Sequence, residues 1–198
     1  MTKYQYFRKD VGPKVRFYAS SSLEATVTLG SAEEYARARS AMPTWCLDGL
    51  VCGTTSDGRP AVVLVIRSGR GLESGPFRNE PWVVGGKWDM VTPWEDFVRH
   101  KVTSELFSGR FNGAMTVDGP IGDQLFATGW GRDTDGPFGY HGVTVQFCYR
   151  VLLSTPIEEK ALQPSPNHSG YIILPAEAPF PALHPYILDV IELSGWLR

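Results

Sequence analysis

Basic and imidazole side chains offer the chain's clearest candidates for chemistry. Arg67 and Arg70 follow the apolar run 61–66, and a planar guanidinium can bind a phosphate through two parallel hydrogen bonds. His168 has an imidazole, whose ordinary pKa near neutrality suits a general base. Each of the three also fits a plainer interpretation, because solvated strand-end arginines and a surface or loop histidine look the same in sequence. The residue types therefore permit chemistry on a diphosphate.

Two carboxylates and a lysine form a second set of candidates. Asp48 lies within the apolar run 46–50, where an unpaired carboxylate is costly to bury, so it either faces a site or lies on the solvent side of a strand. Lys101 precedes Glu105 by four residues, which places both on one face of a helix. Lys101 can therefore neutralise Glu105, or replace part of the positive charge of a bound metal.

The helix that carries Lys101 and Glu105 is predicted over Pro93–Phe107. Proline suits the first turn of a helix, and apolar side chains recur at helical spacing. A glycine turn, Gly85–Gly86, and a loop precede it. The apolar positions that define the buried face are Trp94, Phe97, Val98, Val102 and Leu106.

The remaining pattern is mostly that of strands, with few helices between them. A capping box at Ser31 and Glu34 predicts a helix that ends before Pro43, and a final helix closes the chain. We therefore expect an α+β fold, an α/β/α sandwich built on a mixed sheet. His168 is expected on a separate loop. Strands are predicted at Leu23–Leu29, Trp45–Cys52, Ala61–Arg67, Gly113–Val117, Gln124–Ala127 and Val143–Leu153, with a hairpin turn at Thr54–Arg59 and helices at Ser31–Met42 and Leu183–Leu197.

Composition limits the classes of function. The chain has 198 residues, of which 42% are hydrophobic, and so can bury a sizeable core. A net charge of −2 without a basic run argues against nucleic acid as a partner. No segment approaches the roughly 18 apolar residues of a membrane span, and residues 1–10 lack the pattern of an export signal. Three cysteines without metal-ligand spacing indicate reduced core thiols and a cytoplasmic protein.

Several segments share their order and spacing with one known family: Gly85–Gly86 with Ser104–Phe107, the positions Glu33, Tyr35, Pro43 and Asp48, and the runs Leu64–Arg70, His141–Val143 and Asn167–Tyr171. Together these segments resemble the GDP-mannose mannosyl hydrolase branch of the Nudix superfamily. The resemblance covers roughly residues 30 to 197, and residues 1–30 are interpreted as an N-terminal extension of a Nudix-like domain at 31–198. The Nudix box itself is degenerate, since Thr92 replaces its first glutamate and Glu105 alone remains of the usual set.

The resemblance implies a site and a reaction. In that branch water attacks C1 of a sugar, and a nucleoside diphosphate leaves. By position, His168 matches the general base, Arg67 and Arg70 match residues that assist the leaving group, and Tyr171 matches a neighbour of the base. Glu105 and the carbonyl of Gly85 match ligands of Mg²⁺, which prefers such oxygens. Lys87 replaces an arginine, and Pro166 replaces a second carboxylate.

Three functions follow from these residues. The first is hydrolysis of a nucleoside diphosphate sugar, with catalytic His168, Arg67 and Asp48, and with Arg70, Lys87, Lys101 and Tyr171 binding substrate. The second is a Nudix enzyme for another diphosphate, such as an isoprenoid diphosphate, since tryptophans near the loop suit an apolar or planar ligand. The third is a binding module that has lost its chemistry. A homodimer is expected from the resemblance.

Overall fold

The computed structural model describes residues 6–12, 15–20, 44–68, 79–88, 91–123, 125–130 and 142–197. Several sequence predictions lie outside these residues. They are the strand Leu23–Leu29, the helix Ser31–Met42, the role of Arg70, and the matches at Glu33, Tyr35, Pro43 and His141.

Within the described residues the chain forms one mixed sheet and two α-helices. The helices are α1 (Trp94–Leu106) and α2 (Pro185–Ser194), and short 3₁₀ turns lie at Ile121–Asp123 and Glu159–Ala161. The strands are β1 (Tyr6–Gly12), β2 (Val15–Ser20), β3 (Thr44–Thr54), β4 (Pro60–Arg67), β5 (Pro81–Trp82), β6 (Val84–Lys87), β7 (Met115–Pro120), β8 (Leu125–Trp130), β9 (Gly142–Leu153) and β10 (His168–Pro175).

The sheet order is β1-β2-β8-β9-β3-β4-β10, with β5 paired to β4, β6 to β3, and β7 to β9. The long strands β3 and β9 run parallel, as do β2 and β8, and the other pairs are antiparallel. Strands β1 and β2 thus continue the sheet beyond β8.

A helix covers each face of this sheet, as the β4 strand shows. All five residues from Ala61 to Val65 are buried, which is the pattern of a strand covered on both faces. Val62 and Leu64 pack in the cluster that contains Tyr186 and Val190 of α2, whereas Ala61, Val63 and Val65 pack with side chains of α1. Alternate side chains of a strand point to opposite faces, so α1 and α2 lie on opposite sides of the sheet.

Helix α1 confirms the prediction for Pro93–Phe107. Pro93 is the residue before its first turn, Glu95 and Asp96 lie in that turn, and Phe97 N donates to Pro93 O at 2.9 Å. Of the predicted apolar positions, four are buried, and Trp94 instead stacks on Tyr149 with ring centroids 4.5 Å apart. Neither helix in the described residues is long and apolar enough to cross a membrane.

Several local predictions were wrong. Gly85 and Gly86 lie in strand β6, paired with β3, rather than in a turn. His168 begins strand β10 and does not lie on a loop. The final helix is shorter than Leu183–Leu197, because Pro185 begins it after His184 and Gly195, with φ 63°, ends it in the left-handed conformation.

Candidate functional site

Strand pairing, together with hydrogen bonds at the end of helix α1, brings His168, the candidate base, next to that helix. In the β4–β10 pair His168 lies opposite Arg67. The segment before His168 closes the carboxyl end of α1, where helix carbonyls lack partners within the helix. Gln163 N donates to Leu106 O at 2.8 Å, and Ser165 N donates to Glu105 O at 2.8 Å. These bonds hold His168 above the last turn of α1.

Glu105 is the centre of a three-residue polar network, the Lys101–Glu105–His168 cluster. Lys101 Nζ lies 2.8 Å from Glu105 Oε1, and His168 Nε2 lies 3.0 Å from Glu105 Oε2. Burial disfavours the charged form of Glu105, but hydrogen bonds from His168 and Lys101 together outweigh it and lower the pKa of the carboxyl. Glu105 is therefore an ionised, nearly buried carboxylate with both oxygens engaged.

This network assigns the tautomer of His168. An ionised carboxylate can only accept hydrogen bonds, so Nε2 of His168 carries the proton. In the neutral ring the lone pair is then on Nδ1. That atom is buried and has no hydrogen-bond partner among the described residues, and the same holds for Ser165 Oγ in the preceding turn. His168 thus has a carboxylate that orients it and a buried Nδ1 without a hydrogen-bond partner among the described residues.

Asp48 has a different setting, which sequence patterns did not reveal. It lies on the α2 face, alternating with Leu47 on the α1 face, and Tyr186 Oη donates to its Oδ2 at 2.8 Å. Desolvation raises the pKa of Asp48 to about 7, against smaller lowering effects of the Tyr186 hydrogen bond and the charge of Arg67. Asp48 therefore lies in the core, not on the solvent side of β3.

Gly85 lies beside Asp48 in the β3–β6 pair. A Cβ at position 85 would overlap Asp48 Oδ1 and would approach Leu47 O to 2.6 Å. Since any larger residue would displace this carboxylate, glycine is required here by packing. This reason for the glycine is independent of the metal-ligand role that the resemblance implies for its carbonyl.

The other predicted site residues in the described part of the chain are Arg67, Lys87 and Tyr171. Arg67 is half-buried, and its pKa is lowered by burial in spite of the nearby charges of Asp48 and Glu105. Lys87 is exposed at the end of β6 and pairs with Cys46 in the sheet. Tyr171 turns its hydroxyl to Glu159 O, 3.4 Å away. The structure thus places Arg67 near the cluster and the Tyr171 hydroxyl in a separate contact.

No protein-family model matches the sequence, and no curated protein matches it. Solved structures do match. The Nudix domain of Shewanella oneidensis NrtR, solved with ADP ribose, is 20% identical with a TM-score of 0.50, over 84% of this chain and 97% of that one. The chain has a Nudix fold.

Two further solved structures are similar. A MutT/Nudix family protein of Enterococcus faecalis is 19% identical over 76% of this chain, with a TM-score of 0.46, and this chain spans 53% of its length. The Nudix hydrolase RenU of M. smegmatis is 14% identical over 77% of this chain and 84% of that one, with a TM-score of 0.49. The predicted α+β sandwich is confirmed, and the narrower mannosyl hydrolase branch stays a prediction.

A divalent cation, which the resemblance implies for this Nudix fold, does not fit the donors at Glu105. Both oxygens of that carboxylate already bind positive or hydrogen-donating groups, at 2.8 and 3.0 Å. Asp48 is held by Tyr186 on the other face of the sheet. Among the described residues, no group of three His, Cys, Asp or Glu side chains is placed to hold a metal ion. Glu105 is therefore engaged with Lys101 and His168 and is not open to a divalent cation.

Proposed function

We propose that this protein binds a nucleoside diphosphate sugar at the Lys101–Glu105–His168 cluster and hydrolyses it with His168 as general base. The observation that carries the proposal is the hydrogen bond between His168 Nε2 and Glu105 Oε2, which is 3.0 Å long. In the β4–β10 pair, His168 also lies opposite Arg67. A base, a carboxylate that orients it, and cations for a departing diphosphate are the groups that this reaction needs.

The proposed step uses Nδ1 of the His168 ring, and it requires that substrate binding open this covered atom to water. A water molecule gives a proton to His168 Nδ1 while its oxygen forms a bond to C1 of the sugar. The bond between C1 and the oxygen of the β-phosphate breaks, and the nucleoside diphosphate leaves with the electron pair. Arg67 and Lys101 offset the negative charge that develops on the leaving group, and Glu105 stabilises the imidazolium that forms.

A second candidate is a module that binds a diphosphate compound without turnover. It is favoured by one observation: Nδ1 of His168 is covered by protein, with less than 1 Å² exposed. While Nδ1 is covered, it cannot take a proton from water, so the site binds its ligand without turnover. In this alternative Lys101 and Arg67 still bind the diphosphate.

Substrate screening separates the two candidates. Nucleoside diphosphate sugars and alkyl diphosphates are incubated with the protein, and release of nucleoside diphosphate, monophosphate and inorganic phosphate is scored separately. ADP ribose, the compound bound to the Shewanella Nudix domain, is a suitable first probe. Turnover in ¹⁸O-labelled water with label in the sugar supports the proposal. Label in phosphate indicates attack at phosphorus, and binding without turnover supports the module.

A further inference from the structure

We infer that Lys101 takes the place of a divalent cation at Glu105, so that this site binds a diphosphate without metal. The inference rests on the proposed function, because it concerns how the same site holds the same ligand. The surroundings of the Lys101 ammonium support it.

The Lys101 ammonium has two attractive partners, and a glycine leaves space beside it. Glu105 Oε1 lies 2.8 Å from Nζ, the ring centroid of Phe97 lies 5.9 Å away, and the place of a Cβ on Gly86 is 3.2 Å away. The aromatic face and the carboxylate both attract the cation. A side chain at position 86 would crowd the ammonium, so the glycine leaves space for it. These contacts place the ammonium beside Glu105 and the ring of Phe97.

The held ammonium retains capacity for a ligand. An ammonium has three N–H donors, and Glu105 uses one of them. The Lys101 side chain is 29% exposed, in contrast to 12% for Glu105 and 9% for His168. The most accessible group of the cluster is therefore its cation, with donors directed away from Glu105.

Charge balance in the cluster also favours an anion over a cation as ligand. Glu105 contributes one negative charge, which Lys101 alone cancels. Arg67 is a further cation within electrostatic range of Glu105. Asp48 faces the opposite side of the sheet, where it accepts a hydrogen bond from Tyr186. A metal ion would have to displace Lys101 or His168, whereas a diphosphate meets Lys101 and Arg67 directly.

Calorimetric titration of the full chain with ADP tests this inference. Titrations are made in EDTA and in excess Mg²⁺, on the wild type, on Lys101→Gln and on Lys101→Arg. Lys160→Gln is the matched control, because Lys160 is 83% exposed and pairs only with Glu158 among the ion pairs described. We expect the wild-type Kd to agree within about threefold between the two media. Lys101→Gln should weaken binding in EDTA by roughly ten- to a hundredfold, and Lys101→Arg and Lys160→Gln should bind nearly as the wild type does.

If a variant does not fold, the wild-type titrations alone decide whether ADP binding requires Mg²⁺. ADP binding that requires Mg²⁺ overturns the inference and leaves the proposed function intact. ADP binding in neither medium overturns the proposed function, and the inference with it. Equal loss in Lys101→Gln and Lys160→Gln would show that net charge, rather than the held ammonium, governs binding, and would also overturn the inference.

Discussion

The two faces of the sheet each hold one carboxylate, and the two carboxylates behave in opposite ways. As whole residues, Asp48 and Glu105 are almost equally inaccessible, at 4% and 9% exposed. Burial alone therefore cannot explain why they differ. Asp48 meets the neutral hydroxyl of Tyr186 on the α2 face, and its pKa is raised to about 7 by desolvation. Glu105 meets an ammonium and an imidazole on the α1 face, and its pKa is lowered in spite of desolvation.

The difference shows that partner charge decides which carboxylate stays ionised. A neutral donor compensates only part of the cost of burying a carboxylate, whereas two cationic or donating partners compensate more than that cost. Asp48 consequently belongs to the packing between β3, β6 and α2. Glu105 belongs to the candidate site.

The largest change in unfolding free energy is expected from Gly85→Ala, which alters the surroundings of Asp48. Its methyl group would overlap Asp48 Oδ1 and crowd the backbone of Leu47 and Asp48, and overpacking of this kind costs about 3 kcal/mol in unfolding free energy. Gly119→Ala is the matched control, since nothing lies within 4 Å of its added Cβ. Urea denaturation of both variants gives the measurement. Equal stabilities would show that the Asp48 carboxylate does not occupy the space beside Gly85.

The pH dependence of stability should differ in sign between the two carboxylates. The folded-state pKa of Asp48 is raised from 3.8 to about 7, so the folded state holds a proton that the unfolded state loses. Stability should therefore fall as pH rises across that interval. The lowered pKa of Glu105 gives a contribution that is present above its ordinary value of 4.5 and is lost as pH falls through the folded-state value.

Unfolding free energies measured against pH for two variants test these signs. Asp48→Asn should remove the fall in stability between pH 3.8 and about pH 7. Glu105→Gln should remove the loss of stability at acid pH. An unchanged profile in Asp48→Asn would assign the titration to another group.

A moderate effect is expected from Tyr186→Phe, which removes the hydroxyl that donates to Asp48. A buried acceptor left without its donor costs about 1–2 kcal/mol. The same change should raise the pKa of Asp48 further, because the hydrogen bond lowers it. Urea denaturation and the pH profile measure both effects. Retained stability together with an unchanged pH profile would show that the Tyr186 hydroxyl does not stabilise Asp48.

The smallest effect is expected from Tyr171→Phe. Its hydroxyl makes one long, exposed bond to Glu159 O, at 3.4 Å, so unfolding free energy should change by less than about 0.5 kcal/mol. Affinity for ADP should change little, since the hydroxyl is engaged away from the cluster. A large loss of ADP affinity would return Tyr171 to the substrate-binding role that the resemblance implies.

Elements with regular periodicity could be predicted from sequence. Helix α1 follows from apolar positions at helical spacing, and β4 follows from a short buried run bounded by a turn and by Arg67. Strand β10 could not be predicted in the same way, because Ser169 and Gly170 interrupt its alternation close to Pro166. Its pairing with β4 supplies the register that places His168 opposite Arg67.

The candidate site could be predicted only in part, for a similar reason. The helical spacing of Lys101 and Glu105 predicted a pair that the structure forms. The bond between Tyr186 and Asp48 joins residues 138 positions apart, and no local pattern contains it. The unpaired Nδ1 of His168 likewise depends on the packing of the turn at Ser165, which residue types do not specify.

The most direct test of His168 as general base compares His168→Gln with His100→Gln. His100 is an exposed histidine of α1 outside the cluster, which makes it the matched control. Using the nucleoside diphosphate sugar that turns over fastest, kcat and the dissociation constant are measured separately for each variant. His168→Gln should lower kcat by about 10²–10⁴-fold and change the dissociation constant little, whereas His100→Gln should match the wild type. A kcat that survives in His168→Gln, or falls equally in both variants, would contradict the proposed role of His168.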